Sequence, residues 1–376
     1  MAAPKLRFKE FDGDWSAQKY KDALTIKYGK DHKLLEDGEI PVYGTGGVMR
    51  YVNQYLYDGE SILIGRKGTI DQPKYVNEKF WTVDTLFYSE IKQNIYPLFI
   101  YQHALQVNWL GLNEATGVPS LNTTSINNVD IYLPSKEEQT KIASFLSNVD
   151  EKISQLTQKH ELLSQYKQGM MQKLFSQQVR FKADDGSEFG EWETLKFKYF
   201  IQERNQICSD ATVELCSLTI EKGVTEKTER YTRDFLVKDE KNAYKEVHFN
   251  DFVMNPMNLR FGAIAKSNMD KIVKISKYYN VFNINQNIVN LDYFVYFSVS
   301  KPIIDFYNLM STGSLIEKRR NHFKDFIQYE KSFPCLEEQT KIANFLSAIN
   351  QKIEVVAQQI EQAKTWKKGL LQQMFV

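Results

Sequence analysis

The sequence predicts two mixed α/β globular segments alternating with two long amphipathic helices that pair as a coiled coil, giving two-fold pseudosymmetry within one chain. Three observations carry this reading. First, Glu137-Glu138-Gln139-Thr140-Lys141-Ile142-Ala143 recurs as Glu337-Glu338-Gln339-Thr340-Lys341-Ile342-Ala343, and Gly169 recurs as Gly369, a constant offset of 200. From Leu133 to Phe175, roughly 19 of the 43 positions match their counterparts, far beyond chance. Second, each copy follows a long stretch of sequence that does not repeat. Third, apolar residues inside both copies fall at alternating steps of four and three, a coiled-coil period sustained over several heptads.

The elements follow in chain order. The first globular segment, residues 1–134, opens with Arg7-Phe8-Lys9 and Phe11-Asp12-Gly13-Asp14-Trp15. Short strands are expected at Ser61 to Ile64, Phe80 to Val83 and Val129 to Leu133, with turns at Gly44-Thr45-Gly46-Gly47 and Gly65-Arg66-Lys67-Gly68. The first helical segment, 135–179, should begin near Lys136 just after Pro134, where Glu137 and Glu138 favour the helix dipole. Its seam runs from Ile142 through Leu146, Val149 and Ile153 to Leu174, interrupted at Lys167. The second globular segment, 180–334, opens on an echo of the first, Arg180-Phe181-Lys182 and Phe189-Gly190-Glu191-Trp192, with a strand expected at Ile272 to Ile275. The second helical segment, 335–376, repeats the first from near Leu336, with Lys367 interrupting its seam where Lys167 interrupts the other. Beyond their opening motifs the globular segments do not align with one another.

Composition narrows the function. The chain has 376 residues, enough for two or three domains, and 42% hydrophobic with 25% charged residues is a soluble globular balance. No apolar run approaches the ~20 residues of a membrane span and residues 1–10 lack a signal region, so the expected location is the cytoplasm. Cys208, Cys216 and Cys335 have neither the count nor the spacing of a disulfide framework or zinc site. The five histidines are scattered, and neither Gly44 to Gly47 nor Gly65 to Thr69 has nucleotide-binding spacing. Asn255-Pro256-Met257-Asn258 departs from the adenine-methyltransferase signature at its third and fourth positions, so no catalytic residue is assigned. A net charge of +1 means that, if the chain binds DNA, other subunits must supply much of the phosphate attraction.

What remains are loops rich in the side chains that contact DNA. Arginine pairs with guanine, asparagine with adenine, and lysine or backbone N–H groups hold phosphates. The candidates are Tyr43, Thr45, Arg66, Lys67, Thr69, Ser120, Asn122 and Thr123 in the first segment. In the second they are Asn258, Arg260, Ser314, Lys318, Arg319 and Arg320.

With its duplicated helices, the chain resembles the specificity subunits of bacterial type I restriction-modification systems. Ile40-Pro41-Val42-Tyr43-Gly44, Gly65-Arg66-Lys67-Gly68-Thr69 and Trp81-Thr82-Val83-Asp84-Thr85 resemble phrases of one class of target recognition domain, and Asn255 to Gly262 a phrase of another. The stretch Glu203 to Asp251 is too variable to align to the family. The resemblance implies two target recognition domains, each followed by a conserved helical region, with the helices antiparallel. It further implies a non-catalytic subunit that reads a bipartite, asymmetric duplex DNA target and docks two methyltransferase subunits, with restriction subunits joining the complex. S-adenosylmethionine, ATP and Mg2+ are then expected on the partners, with no metal or cofactor in this chain. Two rival readings are a coiled-coil adaptor without DNA specificity, consistent with the near-neutral charge, and an enzyme that acts on nucleic acid directly.

Overall fold

The structure is a computed structural model, and it describes residues 3–226, 243–315 and 318–376. Of the stretch Glu203 to Asp251, residues 227–242 thus lie outside the described residues. Helices span Lys136–Phe175 and Leu336–Met374, starting where the proline and glutamate signals predict. The chain divides into two compact units, Met1–Lys159 with Val356–Val376, and His160–Val355. Each unit therefore contains one globular segment, the first half of the helix that follows it, and the second half of the other helix.

In the first unit, a six-stranded sheet runs in the order Leu24–Tyr28, Leu86–Ile91, Tyr57–Gly65, Lys74–Thr82, Asp37–Gly44, Gly47–Val52. All its pairings are antiparallel except Asp37–Gly44 with Lys74–Thr82. The predicted run Ser61 to Ile64 is apolar without alternation because both faces of this strand are covered. Ile62 and Ile64 join a core that includes Phe99, Ile142, Leu146 and Leu371 from the helices. Leu63 points the other way, to Val42, Phe80 and Trp81.

The second unit reaches the same layering with fewer long strands. Its four-stranded sheet runs Ile201–Arg204, Asn280–Ile284, Phe252–Met254, Ile264–Lys266, accompanied by two-stranded ribbons, one pairing Tyr244–Val247 with Val273–Ser276. Phe252 and Met254 face the core shared with Ile342 and Leu346 of the helix, while Val253 faces the opposite cluster. This core is built of aromatic rings: Phe297 lies 4.8 Å from Phe333, and Phe197 lies 5.2 Å from Phe326, centroid to centroid. The aromatic richness of the sequence thus goes largely into packing.

Both units hold their long helix in the same way. Glu138 and Glu338 are only 2% and 0% exposed, and each accepts a two-pronged hydrogen bond from an arginine of the opening motif. Arg7 reaches Glu138 at 2.8 Å through both Nε and Nη2, and Arg180 reaches Glu338 at 3.1 and 2.7 Å through the same atoms. Each Nη2 also donates to a glycine carbonyl, Gly13 at 2.6 Å or Gly190 at 2.7 Å. Edge-on rings add to this docking: Phe8 lies 5.8 Å from Phe145, and Phe181 lies 5.5 Å from Phe345. All four glutamates lie in the first helical turns, as expected of residues that favour the helix dipole; Glu137 and Glu337 are exposed, whereas Glu138 and Glu338 are in addition buried anchors. Gln139 and Gln339 complete the joint. Their amides donate to the carbonyls of Pro134 (3.0 Å) and Pro334 (2.8 Å), and their side-chain oxygens accept from Tyr96 N (2.9 Å) and Asn290 N (2.8 Å).

A two-stranded ribbon closes each segment onto its helix, pairing Ser16–Lys19 with Asp130–Leu133 and Glu193–Lys196 with Glu330–Phe333. Within each unit the helical pieces run antiparallel, with Phe145 against Trp366 and Gln155 beside Gln362 in the first, and Tyr166 against Phe345 and Lys167 against Asn350 in the second. The two lysines that interrupt the seams are accounted for. Lys367 Nζ lies 2.6 Å from Asp150, and Lys167 Nζ lies 2.6 Å from Asn350. The terminal rings cap the cores, Phe375 lying 5.0 Å from Phe99 and Phe175 lying 5.6 Å from Tyr293.

Removing either anchor carboxylate deletes the charge-assisted hydrogen bonds it accepts from a solvent-accessible arginine, which typically costs about 1.5–3 kcal/mol. Glu338 also accepts from Trp192 Nε1 at 3.2 Å, whereas the corresponding Trp15 Nε1 has no partner among the described residues. Urea unfolding should therefore show a larger loss for Glu338→Ala than for Glu138→Ala. A second expectation concerns His103, whose Nδ1 pairs with the buried Tyr20 hydroxyl at 2.8 Å. Burial lowers its pKa from 6.5 to about 4, so the unfolded chain binds the proton more tightly. The folded state should thus lose stability as pH falls from about 6.5 to about 4, by up to about 3 kcal/mol. In His103→Gln this part of the pH dependence, followed by chemical denaturation, should flatten.

Candidate nucleic-acid interface

The first unit gathers its candidates around the turn after strand Tyr57–Gly65. Arg66 N and Lys67 N both donate to Thr85 O, at 2.9 and 3.2 Å, and Gly68 N donates to Pro119 O at 2.9 Å. Leu121 N returns a bond to Arg66 O at 2.9 Å, and Lys67 bridges to Ser120. Gly68 has φ +90°, a backbone state that favours glycine, and a Cβ there would sit 3.8 Å from Thr45 Oγ1. Arg66, Lys67, Thr69, Ser120 and Thr45 are thus brought to one place from three parts of the sequence.

Their availability differs. Lys67 is exposed, while the Arg66 guanidinium donates to Asp84 O at 3.0 Å and lies 5.4 Å from the Tyr28 ring centroid. Tyr43 is committed: its hydroxyl donates to Glu78 at 2.6 Å, and burial together with that carboxylate pushes its pKa up to about 12. Asn122 serves as the N-cap of helix Thr123–Asn127, accepting from Ser125 N at 2.8 Å and donating to Glu114 at 2.9 Å. Thr123 is the first residue of that helix. Thr45 also borders a groove lined by Asp31, His32, Lys33, Asp84 and Thr85. Residues 31–33 carry no motif, and only the fold brings them here.

In the second unit the candidates lie on two adjoining segments. Asn258 is exposed on the turn Asn255 to Gly262, held by Asn255 N to Ala263 O at 2.9 Å. Arg260 lies on the same turn, its guanidinium 4.4 Å from the Phe261 ring centroid. Ser314, Lys318 and Arg320 are exposed and Arg319 is half-buried. Their segment closes where Thr312 and Arg320 exchange two backbone bonds of 2.9 Å. Asn321 N then donates to Pro256 O at 2.9 Å, joining the two segments.

That last bond has a counterpart. Leu121 and Asn321 stand at the same offset of 200 as the helices, and each donates its N–H to a turn, at Arg66 O or Pro256 O. Short helices Thr123–Asn127 and Phe323–Phe326 follow at the same offset. The structural repeat therefore begins before the identical residues do. The turns Gly65 to Thr69 and Asn255 to Gly262, which share no sequence pattern, occupy corresponding places in their units.

Comparison with known proteins agrees with this architecture. A family model for the type I restriction modification DNA specificity domain matches residues 13–165. The protein of Methanocaldococcus jannaschii designated the MjaX type I restriction enzyme specificity subunit is 29% identical over 300 residues, covering 73% of this chain and 66% of that protein. The MjaVIII specificity subunit of the same organism is 24% identical over 410 residues, covering 97% of this chain and 94% of its own length. Among solved structures, the S subunit of a type I restriction-modification system from M. genitalium superposes with a TM-score of 0.60 at 11% identity, covering 100% of this chain and 99% of that one. No group of three or more His, Cys, Asp or Glu able to hold a metal ion occurs among the described residues. None of their helices is long and apolar enough to cross a membrane.

The capping geometry makes Asn122 a structural residue of the loop. Asn122→Ala should cost about 1 kcal/mol in urea unfolding, and Asn122→Asp, which keeps the cap, should recover most of it.

Proposed function

We propose that this chain, which belongs with the DNA specificity subunits of type I restriction-modification systems, reads a bipartite duplex target, one half with each globular segment. The observation that carries the proposal is the matched framing of unmatched turns. The same joint of Arg, Glu and Gln holds each segment to its helix, and corresponding backbone bonds hold Gly65 to Thr69 and Asn255 to Gly262. Such a frame presents two different side-chain sets in equivalent positions, as an asymmetric bipartite target requires.

Contacts with DNA are assigned to Arg66, Lys67, Thr69 and Thr45 with Ser120 in the first unit. Asn258, Arg260, Ser314, Lys318, Arg319 and Arg320 take that role in the second. Tyr43, Asn122 and Thr123 support the loops, with their side chains or backbone engaged inside the unit. Arginine and asparagine in such turns suit bidentate contacts with base edges, and lysine suits phosphate. The helices set the spacing between the half-targets and dock two methyltransferase subunits, through which restriction subunits join the complex. S-adenosylmethionine, ATP and Mg2+ belong to those partners, which perform adenine N6 methylation and cleavage in the cytoplasm. This chain contributes recognition and catalyses no step. The net charge of +1 accords with such sharing, because phosphate attraction is then supplied by the assembly.

Fluorescence anisotropy of the chain assembled with its methyltransferase partner, against a randomised bipartite DNA library, tests this. Wild type should select one sequence in two parts, and Arg66→Ala should relax one half only, by about 1–3 kcal/mol at the affected base. Affinity independent of sequence would leave the adaptor reading in its place.

A further inference from the structure

The turn Asn255 to Gly262 spends apolar side chains on solvent while being held rigidly from beneath. Leu259 is fully buried, Asn255 Oδ1 accepts from Met257 N at 3.0 Å, and Asn258 O accepts from both Phe261 N and Ala263 N, at 2.9 and 3.1 Å. Gly262, at φ +90°, turns the chain back, and a Cβ on it would lie 3.3 Å from Ile304 Cδ1. On this base Phe261 is 53% exposed and Met257 is 46% exposed. The Arg260 guanidinium packs 4.4 Å from the Phe261 ring centroid, and Arg260 Nε is buried with no partner among the described residues. A single exposed apolar residue is ordinary. Two on one braced turn, with a cation stacked on the ring, form a preformed exposed surface that is apolar beside a positive group.

The corresponding turn of the first unit differs in chemistry. Gly65 to Thr69 carries Arg66, Lys67 and Thr69 and no apolar side chain except the buried Ile70 that follows it. Given the DNA reading proposed above, on which this inference rests, the two turns meet bases by different means. Hydrogen-bonding side chains suit base edges, whereas a braced aromatic or methionine suits insertion between bases, where it unstacks a step and kinks the duplex. We propose that Phe261, backed by Arg260, is a specificity-determining wedge that enters one base step of the half-target read by the second unit. Arg260 follows the ring and holds the adjacent phosphate. The cost of unstacking is least at pyrimidine–purine steps, so the second half-target should contain such a step at the wedge, selected by deformability as well as by hydrogen bonds.

The test uses the full chain assembled with its methyltransferase partner. The probes are duplexes of the bipartite motif found by sequencing host DNA for N6-methyladenine. 2-Aminopurine is placed singly along the second half-target, and its fluorescence rises on unstacking. Wild type should brighten one position besides the methylated adenine, which the partner flips out on its own account. Phe261→Ala should abolish that signal and weaken binding by about tenfold or more, with the first half-target read as before. Phe261→Leu should retain part of it, and both variants should melt like wild type, because the ring is exposed. Brightening confined to the methylated adenine, or brightening unchanged in Phe261→Ala, would overturn the wedge while leaving bipartite recognition standing. Sequence-independent binding by the wild-type assembly would instead remove the DNA reading and the wedge together.

Discussion

The structure depends on two buried carboxylates. A glutamate that is 2% or 0% exposed is costly to bury unless a cation meets it, and here the cation comes from the opening motif of each globular segment. Because Arg7 and Glu138 lie 131 residues apart, and Arg180 and Glu338 lie 158 apart, each pairing closes a whole globular segment onto the start of its helix. Such a pair gives weak net stability against an apolar substitute, but breaking it strands a charge. It specifies a joint more than it strengthens one.

Around that joint the remaining contacts follow as geometric consequences. Once the opening motif lies against the first helical turn, the first and last strands of each segment are close enough to form the closing ribbon. Gln139 and Gln339 then satisfy backbone groups that the helix start would otherwise leave unpaired. Helical halves cover one face of each sheet, while a second cluster of apolar residues covers the other. The turns are anchored by their backbones and by single buried residues such as Leu259, so the exposed side chains they carry are free to differ. Function of the proposed kind needs that separation, because a reader has to change its contacts without losing its position.

The aromatic residues illustrate the same economy. In the second unit, Phe197, Phe294, Phe297, Phe326 and Phe333 pack ring against ring within one core, where edge-on contacts add to burial. Phe261 is set apart from them by the left-handed turn at Gly262. Its backbone, not its hydrophobicity, decides that it faces outward.

The sequence by itself determined the repeated helices, their starts, their seams and the alternation of two globular segments, because identity at a fixed offset and apolar period are local signals. It also pointed to short strands at Ser61 to Ile64, Phe80 to Val83, Val129 to Leu133 and Ile272 to Ile275, where β-branched and aromatic residues cluster. Only the tertiary structure decided that the opening motif and the Glu-Glu-Gln-Thr motif are two sides of one joint, since nothing local links residues more than a hundred positions apart. The same holds for the candidate loops. Lys67 and Ser120 share a bridge, Pro256 and Asn321 share a bond, Tyr43 is spent on Glu78, and Asn122 is spent on a cap. Residue type tells which chemistry a loop can offer. Whether a side chain is free to offer it depends on the neighbour that folding supplies.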